Sequence, residues 1–540
     1  MEKHVLLLGG SLMQKPAVQA ARDLGCRITL VDTESHVLCR PLCDSFKQIN
    51  LTDTEKIVDF ARSLYDKQGL DAVFTAGTDF SYAVSRAAEE CSFPAHSSFA
   101  AKNASDKLLM RACFERAGVP SPLFAEADAE TASFDKKILE VFLRNYSLAF
   151  PLVVKPCDNM GARGCRLVHS ISELSSALKE AIFFSETGRA IVEEYMDGPE
   201  FSIDALIYNG ELTITGFADR HIFFPPYFIE MGHTMPSSIN EAVYRDLLEV
   251  FADGIHALGL SYGAAKADIK LTSKGPMIGE IAARLSGGYM SGWTYPYASD
   301  FNLIREALIL ALGGSPETLV QNRIKTNIHD SAFEIFEIPC KRFCAERAWL
   351  SIPGTVRETF FFDKARCCEG VKDVFPRICE NEHAVFPVNN VEKAGNVIAV
   401  GSDFTQASNY AAEAVKTVFL RLKPDNAATK DFLEQALDTS FPPSAFQLPP
   451  KTIDRLEKQV KDTQYADGEE ITLLHCLKKH ADLLDWNGRS LSETVCMYNE
   501  LRAAGLINGA KSGAGVYGKK FWHYLIRGGL QGAVFYSDNE

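Results

Sequence analysis

No apolar stretch in this 540-residue chain is long enough to span a bilayer. The opening MEKHVLLLGG is too short in apolar residues for a secretion signal and runs into a strand–glycine turn. A cytoplasmic protein with no membrane partner is the expectation. No basic stripe is evident, and a net charge of -14 argues against nucleic acid as a partner. The fourteen cysteines are scattered. Their close pairs, Cys39 with Cys43, Cys340 with Cys344 and Cys367 with Cys368, fit no zinc pattern, so reduced thiols are expected. Two phosphate-binding signatures are also missing. The turn after the first strand reads GGSLMQ, not G-x-G-x-x-G, and no G-K-[ST] follows the glycine-bearing loop near residue 160. A nicotinamide oxidoreductase is thereby disfavoured.

What is present has the composition of an ordinary globular protein, 46% hydrophobic and 23% charged. Its length suggests three or four domains. Strands at 5–8, 27–31 and 71–75 alternate with helical patterns at 15–24, 54–66 and 80–91. That order implies a parallel sheet covered on both faces, a Rossmann-like unit. Gly77-Thr78-Asp79 closes the third strand, where open α/β sheets place ligands. An N-cap role for Thr78 or Asp79 explains them equally well. Further on, Ser105 or Asp106 caps a helix that puts Lys107 in its first turn. A cation is disfavoured there unless an anion is near. Strand 151–156 carries Lys155 and leads into the loop CDNMGARGCR, with Gly161 and Gly164. Backbone N–H groups of such a loop can close over phosphates.

The densest chemistry lies in YGAAKADIKLTSKGPMIGEIAARLSGGYMSGW, residues 262–293. It reads as a β-hairpin with a three-residue turn, Ser273-Lys274-Gly275. Counting outward from Thr272 opposite Pro276 sets Asp268 opposite Glu280. Alternation puts Lys266, Asp268, Lys270, Glu280, Ala282 and Arg284 on one face, with Ala265, Ala267, Ile269, Leu271, Met277, Ile281 and Ala283 on the other. Two facing carboxylates repel at roughly 5 Å. A divalent cation between them removes the penalty, and oxygen ligands suit magnesium. Ion pairs to Lys266 and Lys270 are the plainer alternative. Arg284, on the same face, can grip an anion such as a transferring phosphoryl group.

Five motifs in order, NASDK at 103–107, VVKP…GARG at 153–164, EEYMDGPEFS at 193–202, EMGH at 230–233 and ADIK…GEIAARLSGG at 267–288, resemble those of the ATP-grasp superfamily. The resemblance is to its carboxylate–amine ligases, among them the L-amino acid ligases, and to biotin-carboxylase-like members. It covers roughly residues 3–420. It implies an α/β and α+β multidomain chain: a Rossmann-like domain at 1–102, a two-lobe ATP-grasp domain at 103–315 and a small C-terminal α+β lobe at 316–424. A mainly helical extension of unrecognised role follows at 425–540. The proline cluster PPSAFQLPP at 442–450 reads as a linker or brace. Beyond it, helices are expected near 451–462, 469–485 and 491–505, then a glycine-rich turn and an amphipathic segment, 519–536. Trp522, Tyr524 and Phe535 in that segment are expected to pack inward.

The same resemblance implies ATP and Mg²⁺ (or Mn²⁺) as cofactors. Lys107 and Lys155 would contact phosphates, under the Gly161–Gly164 loop. Glu193, Glu194 and Met196 would form the adenine hinge, and Glu200 would meet the ribose. Asp268 and Glu280 would hold the metal, with Arg284 at the phosphoryl group and Lys155 beside it as catalytic residues. His233, Gly287 and Gly288 are acceptor-pocket candidates. The chain departs from the usual Glu-x-Asn pattern: Glu280 is followed by Ile281 and Ala282. A water or substrate oxygen must therefore complete the metal shell. The implied reaction is ADP-forming ligation of a small carboxylate to an amine, by a homodimer or a monomer. Biotin carboxylation and a non-catalytic ATP-binding regulator are the alternatives.

Overall fold

The computed structural model describes residues 2–328, 331–461, 464–466, 469–507 and 514–539. The fold is mixed α/β and multidomain, as expected. It divides into two compact units. The first comprises 1–221, 233–344 and 402–404, and the second 222–232, 345–401 and 405–540.

The first unit opens with four parallel strands in the order Ser45–Gln48, Arg27–Asp32, His4–Leu8, Ala72–Phe74. The edge strand Ser45–Gln48 escapes the sequence pattern because only Phe46 is even half-buried. Asp32, at the tip of its strand, accepts Gly10 N–H at 2.7 Å and Glu34 N–H at 2.9 Å. A four-stranded antiparallel sheet follows, Phe124–Ala127, Ala190–Glu194, Leu152–Pro156 and Arg166–Val168 in spatial order. Helices Lys136–Asn145 and Ile171–Phe184 supply its covering core, around Leu139, Leu143, Leu174 and Leu178. A larger sheet carries Glu200–Tyr208 between Glu211–Phe223 and Gly263–Thr272, with Gly275–Ala282 outside the latter. Its buried face packs on helix Glu241–Leu258 through Leu248, Phe251 and Ile255.

The hairpin differs from its expected register at the tip. Thr272 pairs with Gly275, so the turn has two residues, Ser273 and Lys274, and Gly275 takes φ +106°. Lys270 then faces Met277 and Ile269 faces Ile278. A bulge follows, after which Asp268 faces Glu280. The shorter turn and the extra residue cancel. The bulge also switches parity, so that Ile278 rather than Met277 is the fully buried side chain.

In the second unit, strands Gly354–Phe360 and Phe419–Leu422 pair antiparallel, as do Val371–Pro376 and Gly395–Gly401. The residues after 424 are built into the same core. Phe446, Leu491, Phe521, Trp522 and Leu525 join Ile352, Val356, Phe419 and Leu422 in one cluster. The proline cluster is therefore a packed strap, not a linker. Its Ala445 and Phe446 N–H groups donate to the Arg527 and Ile526 carbonyls, both at 3.1 Å. Those carbonyls stand just before the break in Lys519–Asn539 at Gly529, with φ 60° and ψ -144°. Asp538 grips the buried Arg421 at 2.8 and 2.6 Å, tying the last helix to strand Phe419–Leu422.

Two of the three expected tail helices form, Pro450–Gln459 and Leu491–Ala503. The third, 469–485, is reduced to a 3₁₀ turn at Lys478–His480. Asn499 takes both the N–H and the carbonyl of Ile471, at 3.0 and 2.9 Å, in place of helical partners. The glycine-rich turn at 508–513 lies outside the described residues. Trp522, 1% exposed, sits at the centre of this core. Trp522→Ala is expected to cost about 3–5 kcal/mol, read as a shifted denaturant transition. An unshifted transition would make the tail an appendage after all.

Candidate functional site

The site is organised by helix Lys107–Ala117. Asp106 caps it by accepting Leu108 and Leu109 N–H, and Gly118 ends it in the left-handed region at φ 70°. Lys107 and Arg111 are one turn apart on the same side. Lys107 Nζ donates to the Asn159 carbonyl at 2.9 Å and lies 3.7 Å from Glu280. That carboxylate supplies the anion that a first-turn lysine needs. Burial opposes its charge, but Glu280, Asp79 and Glu193 outweigh burial and raise its pKa.

Arg111, fully buried, bridges the two sheets. Its Nε donates to Glu193 at 2.8 Å and its Nη2 to the Gly279 carbonyl at 2.6 Å. Gly279 is the residue at the hairpin bulge. A Cβ there would stand 3.0 Å from the Asp268 carbonyl. Glu193 also takes Lys155 at 2.6 Å. Burial works against its ionisation, but Arg111 and Lys155 prevail and its pKa is lowered. The Glu193 side chain therefore faces this ion triad, and its backbone lies in the sheet ladder, paired with Phe124 on one side and Val153 on the other.

Asp268 and Glu280 face each other, and protein cations relieve their repulsion. Lys266 Nζ stands 2.6 Å and Arg220 Nη1 3.1 Å from Asp268. Arg220 also reaches Glu200 at 2.5 Å. Lys270, the other expected ion-pair partner, instead sits 5.4 Å over the Tyr195 ring. Repulsion alone therefore does not demand a metal. The donor chemistry still fits one. Burial tends to raise the Glu280 pKa, but Lys107, then Lys266, Lys155 and Arg284, hold it at about 2. No group of three or more His, Cys, Asp or Glu able to hold a metal occurs among the described residues. Two carboxylates with substrate phosphates and water are the usual setting for magnesium, which seldom uses an all-protein cage.

The glycine loop joins antiparallel strands, as expected, and Gly161 and Gly164 take φ 69° and 66°. Its base is tied down, with Asn159 Nδ2 on the Phe184 carbonyl at 2.6 Å and Asp158 accepting Ser185 Oγ at 2.8 Å. Arg284 meets Asp79 at 3.5 Å. Asp79 is thus no helix cap; helix Ser81–Glu90 has no side-chain cap at all. Gly77 lies against Gly287, where a Cβ on Gly287 would come within 2.7 Å of the Gly77 carbonyl. Gly288 follows at φ 60°. Met196 approaches Gly279, whose Cβ would be 3.5 Å from the methionine methyl. Glu194 pairs with Lys274 at the hairpin tip. His233 is fully buried and shares a 2.8 Å hydrogen bond with Thr294, so it presents no surface to a substrate.

Lys107, Lys155, Glu193, Glu200, Asp268, Glu280 and Arg284 thus fall in one charged cluster, while Glu194 and His233 lie to its sides. Lys266 and Asp79, expected on the charged hairpin face and at the ligand end of the third strand, belong to the cluster too, as do Arg111, Arg220 and Asp204, which no motif marks. Arg111 was within reach through its four-residue spacing from Lys107. Arg220 required the pairing of its strand, which sets it opposite Glu200. Asp204, fully buried, accepts Ser286 N–H at 3.1 and 3.2 Å and Ser286 Oγ at 2.7 Å.

Residues 148–292 match the ATP-grasp domain and residues 348–423 match L-amino acid ligase C-terminal domain 2. The structure is similar to an L-amino acid ligase from Bacillus licheniformis, with a TM-score of 0.65 at 18% identity over 78% of this chain and 99% of that one. In sequence it is 24% identical to human carnosine synthase 1, over 60% of this chain and 42% of that protein. It is 28% identical to D-alanine–D-alanine ligase from Pseudomonas fluorescens, over 32% of this chain and 51% of that protein. The chain thus spans about half the length, or less, of these two relatives. The chain carries an ATP-grasp domain and an L-amino acid ligase C-terminal domain, and the relatives it resembles include a synthase and a ligase. No helix among the described residues is long and apolar enough to cross a membrane.

Burial pushes the Asp204 carboxyl from its ordinary 3.8 up to about 7, against the pull of Ser286, Lys266 and Arg284. The folded protein then binds this proton more tightly than the unfolded chain. Its stabilising contribution is complete below about pH 4 and is lost as pH rises to about 7. Melting curves at pH 5 and pH 8 should show wild type losing stability relative to Asp204→Asn, by at most about 3 kcal/mol. A constant gap between the two would contradict this.

Proposed function

We propose that the protein is an ATP- and Mg²⁺-dependent ligase that joins a carboxylate to an amine through an acyl phosphate. The observation that carries this reading is the facing pair Asp268–Glu280, ringed by Lys107, Lys155, Lys266, Arg220 and Arg284. A facing carboxylate pair among so many cations suits a polyphosphate accompanied by a metal ion. The ligase relatives, carnosine synthase and D-alanine–D-alanine ligase, support the reaction class. The amine is proposed to belong to an amino acid or a related small molecule. ATP and Mg²⁺ are the cofactors, as in ATP-grasp enzymes generally, and the chain acts on small molecules as a monomer or a homodimer.

In this reading Lys107 and Lys155 hold the phosphates and the Gly161–Gly164 loop closes over them. The Glu193–Met196 backbone meets the adenine edge, and Glu200 the ribose. Asp268 and Glu280 hold the metal, whose contribution is to neutralise charge on the phosphates. Arg284 stabilises the γ-phosphoryl group as it passes to a substrate carboxylate oxygen and ADP leaves. The amine nitrogen then attacks the acyl carbon. The C–O bond to phosphate breaks, and the ammonium proton is lost to solvent or to a nearby base. Loop closure excludes water, which would otherwise hydrolyse the acyl phosphate. Gly287 and Gly288, between Arg284 and the Gly77 turn, border the acceptor pocket.

The test is phosphate release from ATP and Mg²⁺ across a panel of carboxylates and amino-acid pairs, with mass spectrometry of the products. Release that requires a particular pair, with the matching amide mass, is expected. ATP binding with no pair-dependent release would favour a regulatory role. Glu280→Gln should lower turnover at least about 100-fold while melting like wild type. Unchanged ATP consumption in that variant would remove Glu280 from the metal site.

A further inference from the structure

The two facing acids are not equally available. Both oxygens of Asp268 are engaged, Oδ2 by Lys266 at 2.6 Å and Oδ1 by Arg220 at 3.1 Å. Those two cations are close to buried, with side chains 10% and 11% exposed. Glu280 is paired more loosely, with Lys107 at 3.7 Å. The pairing of Asp268 is a product of sheet register. Lys266 precedes it by two residues on the same strand face, and Arg220 reaches it from two strands away, across the Glu200 strand.

We propose that Lys266 and Arg220 are internal counter-ions that close Asp268 to free divalent metal, so that metal enters this site only together with a nucleotide. This rests on the metal–nucleotide reading above and adds the order in which the two bind. Charge decides the order. The cluster holds six cationic side chains, Lys107, Arg111, Lys155, Arg220, Lys266 and Arg284. Against them stand five carboxylates outside the Asp204 pocket, Asp79, Glu193, Glu200, Asp268 and Glu280. A bare dication would add two charges to a cluster with no negative surplus. It would also have to displace an ammonium or a guanidinium that has little water to retreat into. A metal that arrives with polyphosphate brings the anions on which Lys266 and Arg220 can re-pair. Arg220 has a second hold, on Glu200 at 2.5 Å, and Lys266 does not show one of that kind. Lys266 is accordingly the first of the two to yield.

The measurement is a titration of Mn²⁺ into nucleotide-free protein, followed by the loss of the free-ion EPR signal. It is repeated on Lys266→Met, Arg220→Gln and Lys270→Met, with melting curves as a check on folding. Wild type should bind free Mn²⁺ weakly. Lys266→Met and Arg220→Gln should each bind it about tenfold more tightly or better. Lys270→Met, which removes a neighbouring cation not bonded to Asp268, should change affinity less than about twofold. Adding Asp268→Asn to Lys266→Met should abolish the gain. Free Mn²⁺ bound equally by wild type and by the folded Lys266 and Arg220 variants would overturn the proposal. So would a gain in Lys270→Met as large as in Lys266→Met. If either counter-ion variant fails to fold, the other and the wild-type titration still decide: tight binding of free Mn²⁺ by wild type contradicts the closure. Titration of wild type with Mn²⁺ and a non-hydrolysable ATP analogue separates the two readings. No binding of the pair removes the nucleotide site itself, whereas binding of the pair together with tight binding of free Mn²⁺ removes only the closure.

Discussion

The buried guanidinium of Arg111 ties the smaller sheet to the hairpin that carries the facing acids. It is held between a carboxylate of the smaller sheet, Glu193, and the carbonyl of Gly279 at the hairpin bulge. A bulge is a place where register can slip by one residue, and a slip reverses every side chain beyond it. Donation to the Gly279 carbonyl pins the bulge where Glu280 meets Asp268 rather than the core. Through Glu193 the same arginine sets the direction of Lys155, and through its helix it sets Lys107 beside Glu280. Breaking one partner of such a buried set costs about 3–5 kcal/mol, so the arrangement is rigid before any ligand arrives.

Rigidity of the carboxylates contrasts with the way the phosphate-facing groups are held. Lys107 and Lys155 rest on carboxylates that they can share with a ligand, and Arg284 rests on Asp79 at the long distance of 3.5 Å. The Asp204–Ser286 contact secures the backbone between Arg284 and Gly287. The site thus has a fixed floor of acids and a set of cations with somewhere to move. That is the combination phosphoryl transfer needs, since positioning and charge neutralisation carry most of its catalysis.

Much of this was legible in the sequence, for uneven reasons. The facing of Asp268 and Glu280 follows from counting out of the turn, yet the count assumes a three-residue turn and no bulge. Two departures of one residue cancel. Periodicity places the helices near 15–24, 54–66 and 80–91 to within a residue or two, because each carries one apolar stripe. It fails at 469–485, where a distant asparagine side chain takes the backbone of Ile471 away from a helix. The strap at 442–450 shows the same limit: its prolines mark an interruption, but not that carbonyls beside the kink at Gly529 receive it. Among site residues, those within a contiguous motif were recoverable. Arg220 was not, because it reaches the cluster only through a strand pairing that no local pattern records, and the end of the third strand marks Asp79 without naming Arg284 as its partner.

The measurement that bears most directly on this account is binding of Mg²⁺ with a non-hydrolysable ATP analogue, by calorimetry, to wild type, Arg111→Lys and Arg111→Met. If Arg111 sets the bulge and with it the facing acids, both variants should remain folded at the assay temperature. Both should bind the metal–nucleotide pair at least about tenfold more weakly, with the methionine variant the weaker. Wild-type affinity in a folded Arg111→Met protein would contradict the account, since the acids would then be set by the hairpin alone.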